Sequence, residues 1–142
     1  MAFVIGQRGL LSFDAEYTNY GAARFKASDY DYTSLNTDIK SNLQRTLNFR
    51  FGGEWYLGSS YLRFGSAYYG SPYGLNEING SVKKASVGIS LPTSETTTFD
   101  FAYELTYSKR CFDLYDAGGL GIEPVKQSQY RNLILATLKM RF

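Results

Sequence analysis

Two pairs of carboxylates are the first residues whose types and spacing could do chemistry: Asp14 with Glu16, and Asp100 with Glu104. Two acids held on one side of a segment can divide the acid and base roles of glycoside hydrolysis. The companions of such chemistry are missing. The chain has 0 His, which removes Ser-His-Asp catalysis and the commonest metal ligand. Cys111 is the single cysteine, so neither a disulfide framework nor a thiolate cluster can form. Lys83-Lys84 is too short a basic run to bind nucleic acid or lipid headgroups with any specificity. The 15 basic and 13 acidic residues are scattered, leaving a net charge of +2 and no nucleic-acid footprint. A strand puts residues i and i+2 on one side whatever their purpose. The residues therefore point away from an enzyme, a metal or a cofactor.

The elements that would hold these residues are strands. Period-2 alternation runs through segment after segment. Over 10–20, Leu11, Phe13, Ala15 and Tyr17 oppose Ser12, Asp14, Glu16 and Thr18. Over 46–57, Leu47, Phe49, Phe51, Gly53, Trp55 and Leu57 oppose Thr46, Asn48, Arg50, Gly52, Glu54 and Tyr56. Segments 61–70 and 84–91 repeat the pattern, with Arg63 and Lys84 on their polar sides. Over 98–108, Phe99, Phe101, Tyr103, Leu105 and Tyr107 face away from Asp100, Ala102, Glu104 and Thr106. The last segment, 134–142, sets Ile134, Ala136, Leu138, Met140 and Phe142 against Thr137, Lys139 and Arg141. Ala2 to Ile5 reads as the tail of one more strand, so the expectation is six strands and a stub.

Composition agrees. Aromatics reach 17%, with 13 Tyr and 10 Phe, while mean hydropathy is only −0.29. No apolar run approaches the ~18 residues of a transmembrane helix. Alternating strands of a transmembrane barrel keep average hydropathy low in this way. The connections alternate short and long. Gly6-Gln7-Arg8-Gly9, Gly58-Ser59-Ser60 and Pro92-Thr93-Ser94-Glu95 have tight-turn composition, whereas about 21–45, 71–83 and 110–129 are long. Short periplasmic turns and long extracellular loops are the rhythm of outer-membrane barrels. In the first long connection Leu35, Ile39 and Leu43 recur at spacing four, which predicts a short helix over the barrel mouth.

Two faces follow. The apolar face is expected to meet lipid, with Tyr17, Tyr20, Tyr68, Tyr69, Tyr73, Tyr107 and Tyr130 toward the outer rim and Trp55, Tyr56 and Phe142 toward the inner one. The polar face carries Asp14, Glu16, Glu54, Asp100 and Glu104 with Arg50, Arg63, Lys84, Lys139 and Arg141. Signs this mixed predict cross-strand ion pairs filling the interior, Asp100 with Lys139 first among them. Gly52, Gly53, Gly65 and Gly88 fall inside strands and are expected to relieve crowding where the wall curves.

These residues also carry a resemblance. VIGQRGLLSFDAEYTNY, NTDIKSNLQRTLNFRFGGEWYL, LRFGSAYYGSPYG and the closing NLILATLKMRF resemble the C-terminal half of FadL-type outer-membrane transporters as found in Bacteroidetes. Gly9 to Tyr17, Asn36 with Ile39, Asn48 to Trp55, and Tyr68 to Tyr73 match that pattern, which covers nearly the whole chain. The resemblance implies a fourteen-stranded barrel carrying hydrophobic compounds, such as long-chain fatty acids or aromatic hydrocarbons, across the bacterial outer membrane. It also implies that Phe142 is the aromatic end read by the barrel-assembly machinery. No ligand contact carries over residue by residue.

Residues 1–142 then read as the C-terminal portion of one barrel domain, a fragment or truncated product without the family's N-terminal hatch. The start, MAFVIGQRGLL, lacks the pattern of a secretory signal. The strands must find partners, either the missing N-terminal strands or other copies. The rival expectations are a structural or adhesive barrel whose loops bind partners, and a soluble lipid-binding β-barrel.

Overall fold

The computed structural model describes residues 1–74, 80–112 and 125–141. Seven strands form one antiparallel sheet in chain order: β1 (Ala2–Ile5), β2 (Gly9–Asn19), β3 (Arg45–Tyr56), β4 (Tyr61–Tyr69), β5 (Val82–Pro92), β6 (Thr97–Phe112) and β7 (Val125–Met140). The sheet is open, with β1 and β7 at its edges. Each strand pairs with the next, and short turns join β1 to β2, β3 to β4 and β5 to β6. In the first turn the Arg8 N–H donates to the Ile5 carbonyl at 3.2 Å, and Gly6 takes φ +57°, a left-handed value that suits glycine. Gly58, at φ +90°, serves the second turn, where the Leu57 N–H donates to Ser60 at 2.8 Å.

The expected strands and stub are present, with one difference. Arg110–Phe112 and 125–129, read from sequence as connection, belong to β6 and β7, which are 16 residues each. Their ladder continues to Phe112 opposite Val125. Backbone hydrogen bonds extend these strands past the point where side-chain alternation fades. Val82 and Lys83 likewise join β5.

The first connection holds a 3-10 turn at Tyr20–Ala22 and helix α1 (Thr33–Asn42). α1 packs against the 3-10 turn, with Ile39 half-buried and Leu35 exposed. Asn36 clamps the loop by accepting from the Phe25 N–H at 2.8 Å and donating to the Phe25 carbonyl at 3.0 Å. A small bridge joins the first two long connections. Leu43 pairs with Tyr73, the Gln44 N–H donates to Pro72, and the Gly74 N–H donates to Asn42, both at 2.8 Å.

Candidate functional site

The registers fix which side chains share a face. Asp14 stands opposite Arg50, Arg50 opposite Ala67, Glu54 opposite Arg63, Ser90 opposite Asp100, and Thr98 opposite Lys139. All ten charged residues expected on the polar side therefore lie on one face or, for Arg141, directly beyond its last strand residue. The other face carries Phe13, Phe49, Phe51, Phe64, Val87, Phe101, Tyr103 and Ile134.

Three networks organise the charged face. In the first, Arg50 reaches Asp14 and also Glu16, the latter at 2.7 Å, while its guanidinium lies 5.3 Å from the Tyr69 ring centroid. The second crosses five strands. Arg63 pairs with Glu54 at 2.6 Å and donates to Ser90 Oγ at 2.6 Å; Ser90 donates to Asp100 at 2.5 Å, and Asp100 pairs with Lys139. In the third, Lys84 lies 3.1 Å from Glu104 and Arg131 3.7 Å from the same oxygen, with Thr106 donating to it at 3.1 Å. Arg141 makes no ion pair among the described residues; its backbone N–H donates to Thr96 at 2.9 Å. Each carboxylate of the two candidate pairs is held by a cation. Between the networks, Ser12, Gly52, Gly65 and Ser86 stand side by side across β2 to β5, leaving the sheet bare of long side chains there.

Both faces of this single-layered sheet are largely exposed. Among the described residues no hydrophobic side chain is buried; the buried ones are Thr46, Asn48, Ser90 and Thr106, all on the charged face. Asn48 is satisfied by the Gly70 N–H at 3.1 Å and by Glu16, while Thr46 Oγ1 has no partner. The apolar face is open: Ile134 is 79% exposed and Phe101 46%. It has a shallow hollow of about 480 Å³ between Leu62, Val87, Ile89, Phe101, Tyr103 and Ile134.

The rim aromatics separate by position. Tyr17, Tyr68, Tyr107 and Tyr130 lie at the loop end of the apolar face, and the Tyr107 and Tyr130 rings are 4.8 Å apart. Trp55 lies at its turn end, opposite Gly9 and Leu62. Tyr20 sits in the 3-10 turn and Tyr73 in the bridge between connections. Tyr69 lies instead on the charged face, against Arg50, as does Tyr56, opposite Tyr61. Phe142 falls outside the described residues. Sequence reading missed Arg131, whose place follows only from counting back by twos from Lys139 along β7. Comparisons with models of protein families, with curated proteins and with solved structures return no match.

Proposed function

We propose that this sheet is a stretch of the wall of a bacterial outer-membrane β-barrel that passes hydrophobic compounds, as its resemblance to FadL-type transporters implies. The observation that carries the reading is the two-sidedness of the sheet: exposed Phe, Ile, Leu and Val with no carboxylate on one face, cross-strand ion pairs on the other. In water that arrangement wastes the main driving force of folding; against hydrocarbon it is the stable one. Strands β2, β3 and β5 have 11, 12 and 11 residues, enough for the ~9–11 of a tilted membrane-crossing strand. Free edges in lipid cost several kcal/mol for each unpaired backbone group, so β1 and β7 call for further strands. The charged face then lines the interior, where its ion pairs hold the wall and the small-residue row gives clearance.

Refolding the chain into detergent micelles, followed by electrophoresis with and without boiling, tests the membrane reading. A heat-modifiable band with β-type circular dichroism is expected. A folded, water-soluble monomer in plain buffer would overturn it in favour of a soluble lipid-binding barrel. The bridge at Leu43 and Tyr73 gives the loop end a defined surface, which favours a structural or adhesive barrel as the second reading. Retention of a fluorescent long-chain fatty acid by the refolded protein separates transport from that alternative.

A further inference from the structure

The apolar face carries charge at one end only. Its strand-borne cations are Arg45 at the start of β3, Lys83 near the start of β5, Lys109 toward the end of β6 and Lys126 near the start of β7. All four are exposed. Lys83 stands between Tyr68 and Tyr107, and Tyr107 faces Tyr130, so one ladder row reads Tyr, Lys, Tyr, Tyr across β4 to β7. Lys109 lies two residues farther out than Tyr107, Lys126 four farther than Tyr130, and Arg45 two beyond Leu47, the partner of Tyr17. No Asp or Glu occupies this face of any described strand. The turn end of the same face ends in Trp55, Leu62, Leu91, Phe99 and Met140 without a charge.

The two faces also use their cations differently. Arg50, Arg63, Lys84, Arg131 and Lys139 on the charged face each hold a carboxylate. Arg45, Lys83, Lys109 and Lys126 make no ion pair among the described residues. Beside Arg45 lies a recess of about 550 Å³ whose polar lining is Asn19, Arg24, Lys40, Gln44 and Arg45, three cations and no carboxylate. We infer that the loop end of the apolar face is a collar that binds the phosphate groups of anionic lipids, with the recess beside Arg45 as its seat for one headgroup. Long basic side chains lay their methylenes along apolar surface and carry the charge outward to the headgroups. The face decides the source of the phosphate: an anion reaching Lys83, Lys109 or Lys126 comes from the side of Phe101 and Ile134, where hydrocarbon packs, and not from the lumen. The sign and one-sidedness fix the chemistry as an anionic leaflet at the loop end, because a basic residue near such a surface contributes about 1 kcal/mol while screening leaves distant charges inert.

The inference rests on the membrane reading, and its test separates the two. The refolded full chain is sedimented with sucrose-loaded vesicles of phosphatidylcholine alone and of phosphatidylcholine mixed with phosphatidylglycerol, at low and high salt. The expected result is binding to both, tighter to the mixed vesicles, with the preference lost at high salt. Lys83→Gln/Lys109→Gln/Lys126→Gln should weaken the preference by roughly 100-fold, given about 1 kcal/mol per basic residue. The charge-matched Arg8→Gln/Arg110→Gln/Arg141→Gln should keep it, and circular dichroism confirms that both variants fold. Arg45→Gln/Lys40→Gln should lower it further, and inorganic phosphate at millimolar concentration should leave it unchanged. Equal binding to both vesicles, or equal loss in the two triple variants, overturns the collar while leaving the membrane reading intact. Competition by inorganic phosphate overturns the assignment to lipid. Binding to neither vesicle overturns both readings.

Discussion

The ring of Phe64 occupies the space that a Cβ on Gly53 would take, its directly paired neighbour on β3. Trp55 covers Gly9 in the same manner, with ring carbon Cε3 2.7 Å from a Cβ built on that glycine. On the apolar face, an aromatic side chain thus covers the gap that Gly9 and Gly53 leave in the sheet. This arrangement is the rescue of glycine by a cross-strand aromatic. Gly53→Ala should therefore destabilise by about 1–3 kcal/mol through overpacking. Adding Phe64→Ala should recover part of that loss, with a coupling of roughly 0.5–3 kcal/mol in urea unfolding of the refolded protein. Strict additivity of the two changes would show that the ring does not rest on the glycine.

The second network predicts an asymmetry between partners. Asp100 holds Lys139, the diagonal neighbour across β6 and β7, and also receives the hydroxyl of Ser90, which is 3% exposed. Lys139→Ala removes a pair whose lysine is 60% exposed, and should cost no more than about 1 kcal/mol. Asp100→Ala also leaves the proton of the buried Ser90 hydroxyl without its acceptor, and should cost about 1–3 kcal/mol. Unfolding midpoints of the two variants, compared at equal slope, decide the ranking.

Strand β6 offers the sharpest check of the two faces. Single cysteines at Phe101 and Tyr103, on a Cys111→Ser background, should carry probes quenched by brominated lipid. Probes at Ala102 and Glu104 should resist the same quencher. Trp55, the single tryptophan, should be quenched by brominated lipid without any label. Uniform quenching along β6 would mean that both faces meet the same medium.

The start of α1 predicts a pH effect outside the strands. Asp31 accepts from the Thr33 hydroxyl at 2.5 Å and from the Thr33 N–H at 2.9 Å, and these bonds hold its carboxyl below the ordinary aspartate range. A carboxyl whose folded value is depressed stabilises the fold above its unfolded value. That contribution fades as pH falls through the lowered folded value. Thr33→Val should move the Asp31 titration part of the way back, because the backbone donor remains. Carboxyl carbon chemical shifts followed through acid pH measure this, and an unmoved titration would count against the hydroxyl's role.

Much of this architecture could be read from residue order, and the misses have specific causes. β2 through β5 were legible because apolar and polar residues alternate over most of their length, so the faces of Asp14, Arg50 and Arg63 follow by counting. The outer ends of β6 and β7 were not, because Lys109, Lys126 and Ser128 occupy the apolar face and cancel the alternation. Arg131 was hidden by Leu133 and Leu135, apolar residues on the charged face that blur the parity of β7. Tyr69 was placed by residue type among the rim aromatics, although steps of two from Arg63 lead to it on the charged face. The seal of Phe64 over Gly53 depends on the register between two strands, which neither strand's own sequence contains.

The chain reverses direction at each of the six steps from β1 to β7, so the two edge strands point the same way. Curling the sheet until its edges met would therefore set β1 and β7 parallel, and joining two copies edge to edge about the barrel axis would place a parallel seam at both joins. A ring that stays antiparallel all the way round must take an odd number of additional strands.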